Sequence, residues 1–311
     1  MKVLVTGGAG FIGSHMVDAL IAQGHEVAVV DDLSTGRRQN LHPQARLYVI
    51  DIGDEKLAEV FERERPKLVY HFAAQVSVRH SMDDPAHDAR VNILGSLNVL
   101  ESCRRHGVDK LVYASSGGAV YGEPEYLPCD EVHPVHPLCP YGVSKLTVEH
   151  YLFLYHQWYG LNYVALRLPN VYGPRQDPFG EAGVVAIFSR QMLTGETVVI
   201  NGNGEQERDF LYVGDVVDAS LQAGEKGDGL AVNIGTGTST SVNQLFQRLK
   251  AITGYSRDAV HGPPKAGETF KIYLAAQRAS QELGWRPRVG LEEGLRRTVA
   301  YFQEAGGEGC S

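Results

Sequence analysis

A glycine-rich turn near the start of the chain constrains the fold more than any other feature. It lies between a short apolar strand predicted at Lys2–Thr6 and a helix predicted at Phe11–Gln23, and its Gly7, Gly10 and Gly13 are spaced three residues apart. Glycine at these positions lets the backbone turn tightly and approach a pyrophosphate at the helix N-terminus. Glycine spacing alone is a weak signal, and a tight turn without a ligand would show it too. The strand before and the helix after favour a dinucleotide-binding turn.

Strand-like and helix-like segments alternate through about the first 170 residues. This alternation predicts an α/β fold, a doubly wound parallel Rossmann sheet with helices on both faces. The 311 residues, 43% of them apolar, are enough to bury such a core. Further strands are predicted at Glu26–Asp31, Arg46–Asp51, Leu68–Phe72, Lys110–Ser115 and Tyr163–Leu168, and helices at about Lys56–Glu64, Pro85–His106 and Tyr141–Tyr159.

The pattern loosens after Asn170, where proline and glycine become frequent and the strands become short. We therefore predict a Rossmann domain over residues 1–168, with a return segment near 209–237. A smaller C-terminal lobe, which would bind the substrate, is predicted over residues 169–208 and 238–311.

The charge and composition exclude several classes of function. The net charge is −8, with acidic residues spread along the chain, which argues against a nucleic-acid partner. No apolar run is long enough to span a bilayer, and no charged-then-apolar leader begins the chain, so we expect no membrane partner. The four cysteines lack metal-binding spacing, so we expect no metal and free thiols in a cytoplasmic protein.

An acidic residue at the end of the second predicted strand bears on the choice of cofactor. Asp31 can accept hydrogen bonds from both ribose hydroxyls of an adenosine, and its charge would repel a 2′-phosphate. Two arginines that follow, Arg37 and Arg38, weaken this preference because an arginine could accept that phosphate. The sequence favours NAD over NADP. Asp51 and Ile52, which end the third strand, would then flank the adenine, although a plain strand end explains them nearly as well.

A tyrosine and a lysine four residues apart begin the predicted long helix. This spacing places Tyr141 and Lys145 on one helix face. An ordinary phenol has a pKa of about 10, and a neighbouring ammonium together with a positive nicotinamide ring favours the phenolate. Tyr141 could then take a hydroxyl proton while hydride leaves the same carbon. By itself the pair could also be an ordinary surface pair.

Taken together, these and other motifs resemble the extended short-chain dehydrogenase/reductase family, which includes the NAD-dependent epimerases and dehydratases. Within it the chain most resembles the UDP-glucose 4-epimerases, from Met1 to about Phe302. The resemblance implies an NAD-binding Rossmann domain and a C-terminal lobe for a UDP-sugar. It rests on Thr6–Gly13, His71–Ala74, Asn92, Val120–Gly122, Tyr141–Lys145, Arg167–Pro174 and Arg208–Val213.

By position, the resemblance implies two sets of binding residues. Those implied to meet NAD, besides the three turn glycines, are Phe11, Ile12, Asp31, Asp32, Asp51, Ile52, Phe72, Ala73, Ala74, Asn92, Tyr141, Lys145 and Leu168. Those implied to meet the sugar nucleotide are Asn170, Arg208, Lys265 and Ile272.

The substrate residues carry different chemical expectations. Arg208 would pair with the diphosphate, although a surface ion pair with Glu207 or Asp209 is the alternative. Lys265 stands where the family usually has a second diphosphate arginine, so the charge is kept but the bidentate geometry is lost. Ile272 would form a pocket wall that hinders an N-acetyl group, or it is an ordinary core residue.

One position departs from the family pattern. A catalytic serine or threonine usually ends the fifth strand, but here that residue is Gly117. Either a neighbouring hydroxyl or water substitutes, or Tyr141 works alone. Ser116 is the nearest candidate for a catalytic hydroxyl. In the alternative interpretation, Ser115 and Ser116 only bond the backbone at the strand end.

The next two positions bear on the reaction. Related dehydratases and decarboxylases carry an acid or base there, whereas this chain has Gly118 and Ala119, which cannot transfer a proton. Interconversion of UDP-glucose and UDP-galactose by transient oxidation at carbon 4 is therefore the expected reaction. Another UDP-sugar 4-epimerase (acting on N-acetylhexosamine, uronate or pentose), a sugar-nucleotide reductase or dehydrogenase, and a non-catalytic nucleotide sensor are the alternatives.

The long helix at Tyr141–Tyr159 also predicts the oligomeric state. Its second half carries more apolar surface, including Phe153, Leu154 and Trp158, than one buried face needs. Pairing two such helices about a two-fold axis would bury the excess, so we expect a homodimer. The alternative is that the small lobe covers this surface.

Overall fold

The computed structural model of the chain describes residues 1–179, 183–264 and 269–307; Lys265 lies outside them. Its strands are β1 (Lys2–Thr6), β2 (Glu26–Val30), β3 (Arg46–Tyr48), β4 (Leu68–His71), β5 (Lys110–Ser116), β6 (Asn162–Leu168), β7 (Asn170–Tyr172), β8 (Val199–Asn201), β9 (Glu207–Arg208), β10 (Phe210–Tyr212), β11 (Leu230–Asn233), β12 (Thr240–Ser241), β13 (Val260–Gly262) and β14 (Lys271–Ile272). Its α-helices are α1 (Phe11–Ala22), α2 (Leu57–Glu64), α3 (Val78–Asp83), α4 (Pro85–Ala89), α5 (Gly95–His106), α6 (Gly117–Val120), α7 (Pro140–Tyr159), α8 (Val184–Leu193), α9 (Val213–Glu225), α10 (Val242–Thr253) and α11 (Leu291–Gly307).

A seven-stranded sheet forms the centre of the molecule, in the order β11-β6-β5-β4-β1-β2-β3. Every neighbouring pair in it is parallel. Apolar side chains from both faces form two large cores, one beneath α1 and α9 and the other beneath α2, α5 and α7. The predicted doubly wound α/β fold is confirmed.

Most predicted elements end within one residue of the observed ones, and two differ by more. β3 ends at Tyr48 rather than Asp51, because the chain turns there and the Asp51 carboxylate accepts a hydrogen bond from the Gly53 N–H. The long helix predicted at Pro85–His106 is interrupted by a π-helical turn at Arg90–Leu94. Such turns are rare inside helices and frequent at functional sites, and this one carries Asn92.

The remaining elements form a third, smaller core. Helices α8, α10 and α11 pack together around apolar side chains from β7, β8 and β10. The chain returns to the central sheet through α9, which packs on α1, and through β11, which pairs with β6. No helix among the described residues is long and apolar enough to cross a bilayer.

A buried ion pair connects β6 to α7. Arg167 and Glu149 are both almost fully buried, with Nη2 of the arginine 2.7 Å from Oε2 of the glutamate. The same guanidinium donates to the Tyr121 hydroxyl at 2.9 Å, and the carboxylate accepts a hydrogen bond from Ser115. Buried charges need this degree of pairing, because an unpaired one would carry the full cost of desolvation.

We predict that Glu149→Gln lowers the free energy of unfolding by about 3–5 kcal/mol, because it leaves the buried Arg167 guanidinium without its counter-ion. Urea unfolding measures the change. Glu293→Gln breaks the exposed pair with Arg297 on α11 and should cost less than about 1 kcal/mol. Equal losses in the two variants would contradict the assignment of Arg167 and Glu149 as a stabilising pair.

Candidate active site

The glycine-rich turn after β1 has the backbone that the sequence predicts. Gly7 has a φ of +68°, and a Cβ on Gly13 would lie 2.1 Å from the Gly7 carbonyl oxygen. Only glycine fits this close approach. Helix α1 begins at Phe11 with no side-chain cap and no acidic residue in its first turn. Its backbone N–H groups and positive dipole end therefore suit an anion such as a pyrophosphate.

Asp31, at the end of β2, faces the same turn. Its carboxylate is buried and accepts hydrogen bonds from the N–H groups of Ala9 and Leu33, both at 2.9 Å. Burial raises the pKa of this carboxyl above its ordinary range. Asp32 instead bonds Ser34 at the surface. Arg37 forms an ion pair with Asp177 at 3.3 Å.

The loop after β4 meets the glycine-rich turn. Thr6 Oγ1 lies 2.7 Å from Nδ1 of His71 and accepts a hydrogen bond from the N–H of Ala73. A Cβ on Gly7 would lie 2.6 Å from the backbone nitrogen of Ala73. Burial lowers the pKa of His71 to about 3, so its ring is neutral and serves to position the loop. Phe72, Ala73 and Ala74 are half-buried here, beside the turn.

The other residues implied to meet NAD lie at the ends of neighbouring elements. Asp51 is exposed, whereas Ile52 is buried beneath Gly95 and its carbonyl accepts a hydrogen bond from Asn98. Leu168 ends β6 and is buried opposite Ser116 in the strand register. Phe11 and Ile12 are half-buried at the start of α1.

Tyr141 and Lys145 lie on one face of α7, as the spacing predicts. Nζ of Lys145 is 5.7 Å from the centroid of the Tyr141 ring and donates to the Ala114 carbonyl on β5 at 2.9 Å. Burial lowers the pKa of Lys145 to about 8 and raises the pKa of Tyr141 to about 12. Lys145 is buried and Tyr141 is half-buried beside it at the end of β5, so the two do not form a surface pair.

The two serines that end β5 have different partners. Ser115 donates to Glu149, so its hydroxyl is part of the buried ion-pair network. Ser116 forms a hydrogen bond with Tyr141 that opposes the rise in the pKa of the tyrosine. The interpretation that both hydroxyls only bond the backbone is wrong. Ser116 is the hydroxyl placed to act on Tyr141.

Gly117 is a glycine for a steric reason. A Cβ at this position would lie 2.4 Å from Cδ1 of Leu274, which follows β14 and is almost fully buried. A Cβ on Gly118 would instead meet only Ser116 Oγ at 3.9 Å and Asn170 Oδ1 at 4.0 Å. Where the family has a hydroxyl at position 117, this chain thus has an apolar side chain from the segment after β14 packed against glycine, and the space beside Gly118 is open.

A cleft of about 790 Å³ lies beside β8, β9 and β13. Arg208 lines it, and the arginine donates to the backbone carbonyls of Glu207 and Phe270. The Glu207 carboxylate pairs with Lys271, and the Asp209 carboxylate accepts from Thr236 and Leu274. Other residues that line the cleft are Asn201, Gly202, Asn203, Gln206, His261, Gly262, Pro264, Thr269 and Phe270.

The other predicted substrate residues differ in their exposure to solvent. Asn170 is exposed at the start of β7, with its side chain near Gly118. Ile272 is buried in a small apolar cluster with Val120, Tyr121 and Leu274, which fits the interpretation of a core residue. Its contact with a sugar stays a prediction. Lys265 lies outside the described residues.

Sequence reasoning missed a group of buried polar residues behind the tyrosine and lysine. Asp88 on α4 is fully buried, and it accepts hydrogen bonds from Ser144, Asn92 and Gln75. An aspartate on a polar helix is typical of an exposed surface, so the sequence carries no signal for it. Ser144 lies within the Tyr141–Lys145 motif and was the one available hint.

Comparisons with known proteins agree over nearly the whole chain. Residues 3–235 match the model of the NAD-dependent epimerase/dehydratase family. A putative UDP-glucose 4-epimerase of Methanocaldococcus jannaschii is 48% identical over 97% of this chain and 98% of its own. The crystal structure of a Thermotoga maritima UDP-glucose 4-epimerase with UDP-glucose has a TM-score of 0.97 and 52% identity, over 98% of this chain and 99% of that one. A Thermus thermophilus UDP-glucose 4-epimerase in complex with NAD has a TM-score of 0.95 and 46% identity, over 98% and 100%.

We predict that Gly117→Ser lowers the free energy of unfolding by about 1–3 kcal/mol, the usual cost of overpacking a buried site. In a protein that already carries Leu274→Ala, the same Gly117→Ser change should cost much less, because the space that the new Cβ needs is clear. Gly118→Ala is the matched control and should be close to neutral, because its Cβ has room. Additive losses in the double variant would contradict the contact between Gly117 and Leu274.

Proposed function

The chain belongs to the NAD-dependent epimerase/dehydratase family, and we propose that it interconverts UDP-glucose and UDP-galactose by transient oxidation at carbon 4 of the sugar. It is an enzyme that uses NAD. One observation carries the proposal. Tyr141 lies half-buried against Lys145 and hydrogen-bonded to Ser116 at the end of β5, and the neighbouring Gly118 carries no acid or base.

In this proposal Tyr141 accepts the proton of the sugar 4-hydroxyl and later returns it. The Lys145 ammonium stabilises the phenolate, and the Ser116 hydroxyl donates a hydrogen bond to it. When bound, NAD supplies the acceptor and donor of the hydride.

The residues at positions 118 and 119, a glycine and an alanine, support epimerisation over elimination of water. A side chain at Gly118 would point toward Ser116 and Asn170, as its Cβ position shows. Since glycine stands there and Ala119 follows, no residue at these two positions can add or remove a second proton. The 4-keto sugar would then only be reduced again, and the reaction has no net redox change.

We propose the following division of binding roles. NAD would be held by the turn at Gly7–Gly13, by Asp31 and by the loop after β4. The other residues that the family resemblance implies for NAD would complete this site. Asn170, Arg208, Lys265 and Ile272 would hold the UDP-sugar, with Arg208 on the diphosphate. Residues 1–168 and the return segment near 209–237 would form the NAD-binding domain, and residues 169–208 and 238–311 the substrate lobe.

The assay is turnover of UDP-galactose by purified protein without added cofactor. UDP-glucose should form, and denatured protein should release NAD rather than NADP. N-acetyl, uronate and pentose forms of UDP-sugars tested in parallel identify the preferred sugar. Consumption of added NAD in proportion to product would indicate a dehydrogenase, and absence of turnover on every sugar would indicate a sensor.

We predict that Tyr141→Phe lowers kcat by at least about a hundredfold, the lower end of general acid–base contributions. NAD content should stay near normal because the ring is kept. Ser116→Ala should cost about tenfold, as expected for one lost hydrogen bond of about 1.5 kcal/mol to a charged group. Equal losses in the two variants would show that Ser116 itself transfers the proton.

We also propose a cytoplasmic homodimer. Trp158, Tyr159, Phe153 and Leu154, on the second half of α7, are 45–77% exposed, so the small lobe does not cover them. Pairing the α5 and α7 helices of two copies would bury this surface. Cys103, Cys129 and Cys139 are buried free thiols, which fits a reducing compartment.

We predict that light scattering at micromolar concentration gives the mass of a dimer, and that Trp158→Glu shifts it toward a monomer that still contains NAD. Val132→Glu is the control, since Val132 is 76% exposed but lies outside α5 and α7, and it should leave the dimer intact. A monomeric wild-type protein would rule the dimer out.

A further inference from the structure

A buried carboxylate lies behind the tyrosine and lysine of α7. Asp88 is completely buried, and its two oxygens divide three donors between them. Oδ2 accepts from the Ser144 hydroxyl at 2.6 Å, and Oδ1 accepts from the side-chain amides of Asn92 and Gln75, both at 2.9 Å. A carboxylate can accept from all three partners at once.

The donors belong to three separate parts of the site. Ser144 immediately precedes Lys145 on α7, and Asn92 lies in the π-helical turn before α5. Gln75 belongs to the loop after β4, where Asn92 also bonds its backbone N–H and carbonyl at 2.9 Å each. Asp88 therefore holds the loop at Phe72–Ala74 and the first turn of α7 to one point.

The charge of Asp88 also acts on the two reactive side chains. It opposes the fall in the pKa of Lys145 that burial causes, and it adds to the rise in the pKa of Tyr141. The other titratable groups around the Lys145 ammonium are Tyr141 on α7, Tyr113 on β5 and His71 on β4. Cys139, before α7, also acts on Tyr141. Glu149 is already paired with Arg167.

We propose that Asp88 is a positioning residue for the hydride-transfer site, whose buried carboxylate keeps Lys145 charged and fixes the turn of α7 that carries Tyr141 and Lys145. The proposal rests on the proposed function for its kinetic consequences but not for its electrostatic ones. Asp88 itself acts only through its neighbours.

The test variant is Asp88→Asn, which removes the charge and keeps the shape. Oδ1 of the asparagine can still accept from Asn92 and Gln75. Its Nδ2 replaces Oδ2 and can donate to the Ser144 hydroxyl, which accepts as well as donates. Each of the three contacts can thus be kept, with the direction of the Ser144 hydrogen bond reversed. The matched control is Ser144→Ala, which removes one hydrogen bond and keeps the charge.

In the pH profile of kcat, the two limbs report the apparent pKa values of the coupled pair of Tyr141 and Lys145. Removing a negative charge lowers both pKa values. Both limbs of Asp88→Asn should therefore move to lower pH by about one unit, the low end of what a neighbouring charge contributes to a pKa. Ser144→Ala should change kcat without moving the limbs.

A second readout does not depend on turnover. The pKa of Lys145 in the folded protein is about 8, below its ordinary value of 10.5. Between these values the unfolded chain binds more protons, so the free energy of unfolding rises with pH across this window. In Asp88→Asn the rise should begin about one pH unit lower. Urea unfolding of the variant and of the wild type at a series of pH values gives the difference in their free energies of unfolding at each pH.

The outcomes separate the proposals. Unmoved limbs and an unmoved stability window in Asp88→Asn would overturn the role of Asp88, even if the epimerase reaction is observed. A shifted stability window without turnover on any UDP-sugar would support Asp88 and count against the proposed function. Should Asp88→Asn fail to fold, limbs that shift by a full unit in Ser144→Ala would overturn the proposal, and unmoved limbs would support it.

Discussion

The crevice between the loops that follow β1 and β4 is the constraint on which the rest of the molecule depends. These two strands are neighbours in the sheet, but the chain leaves them toward opposite sides, because β2 and β3 lie beyond β1 and β5 and β6 lie beyond β4. In open parallel sheets, ligands bind at such a reversal of strand order. Here the two loops approach so closely that Gly7 has no room for a Cβ beside Ala73. We propose that contact as part of the cradle for the dinucleotide.

Burial of charge is the second organising feature. Lys145, Asp88 and the pair of Arg167 with Glu149 all lie at or behind the ends of β4, β5 and β6, and each is matched by hydrogen bonds. Low solvent exposure strengthens their effect on one another. It also makes each group costly to leave without a partner. The reactivity of Tyr141 therefore depends on a network much larger than the Tyr-x-x-x-Lys motif.

The smaller lobe is joined to this network through the segment after β14. The buried Asp209 carboxylate accepts hydrogen bonds from Thr236 and from the backbone of Leu274, and burial raises its pKa to about 6. The Leu274 side chain then packs on Gly117 at the end of β5. A residue of the segment after β14 thus occupies the space that a side chain at position 117 would need. In this chain the hydroxyl beside Tyr141 comes from Ser116.

The sequence by itself determined the fold class, the glycine-rich turn and the face shared by Tyr141 and Lys145. Each of these depends on residues close together in the chain, where periodicity and turn chemistry act directly. Only the tertiary structure decided that Ser116 rather than Ser115 meets the tyrosine, that β3 ends early, that Ile272 is buried, and that Asp88 lies behind Lys145. These outcomes depend on contacts between segments far apart in sequence, such as Asp88 with Ser144 and Gly117 with Leu274. A local pattern carries no information about such pairs, because packing and desolvation act between whole elements after they have come together.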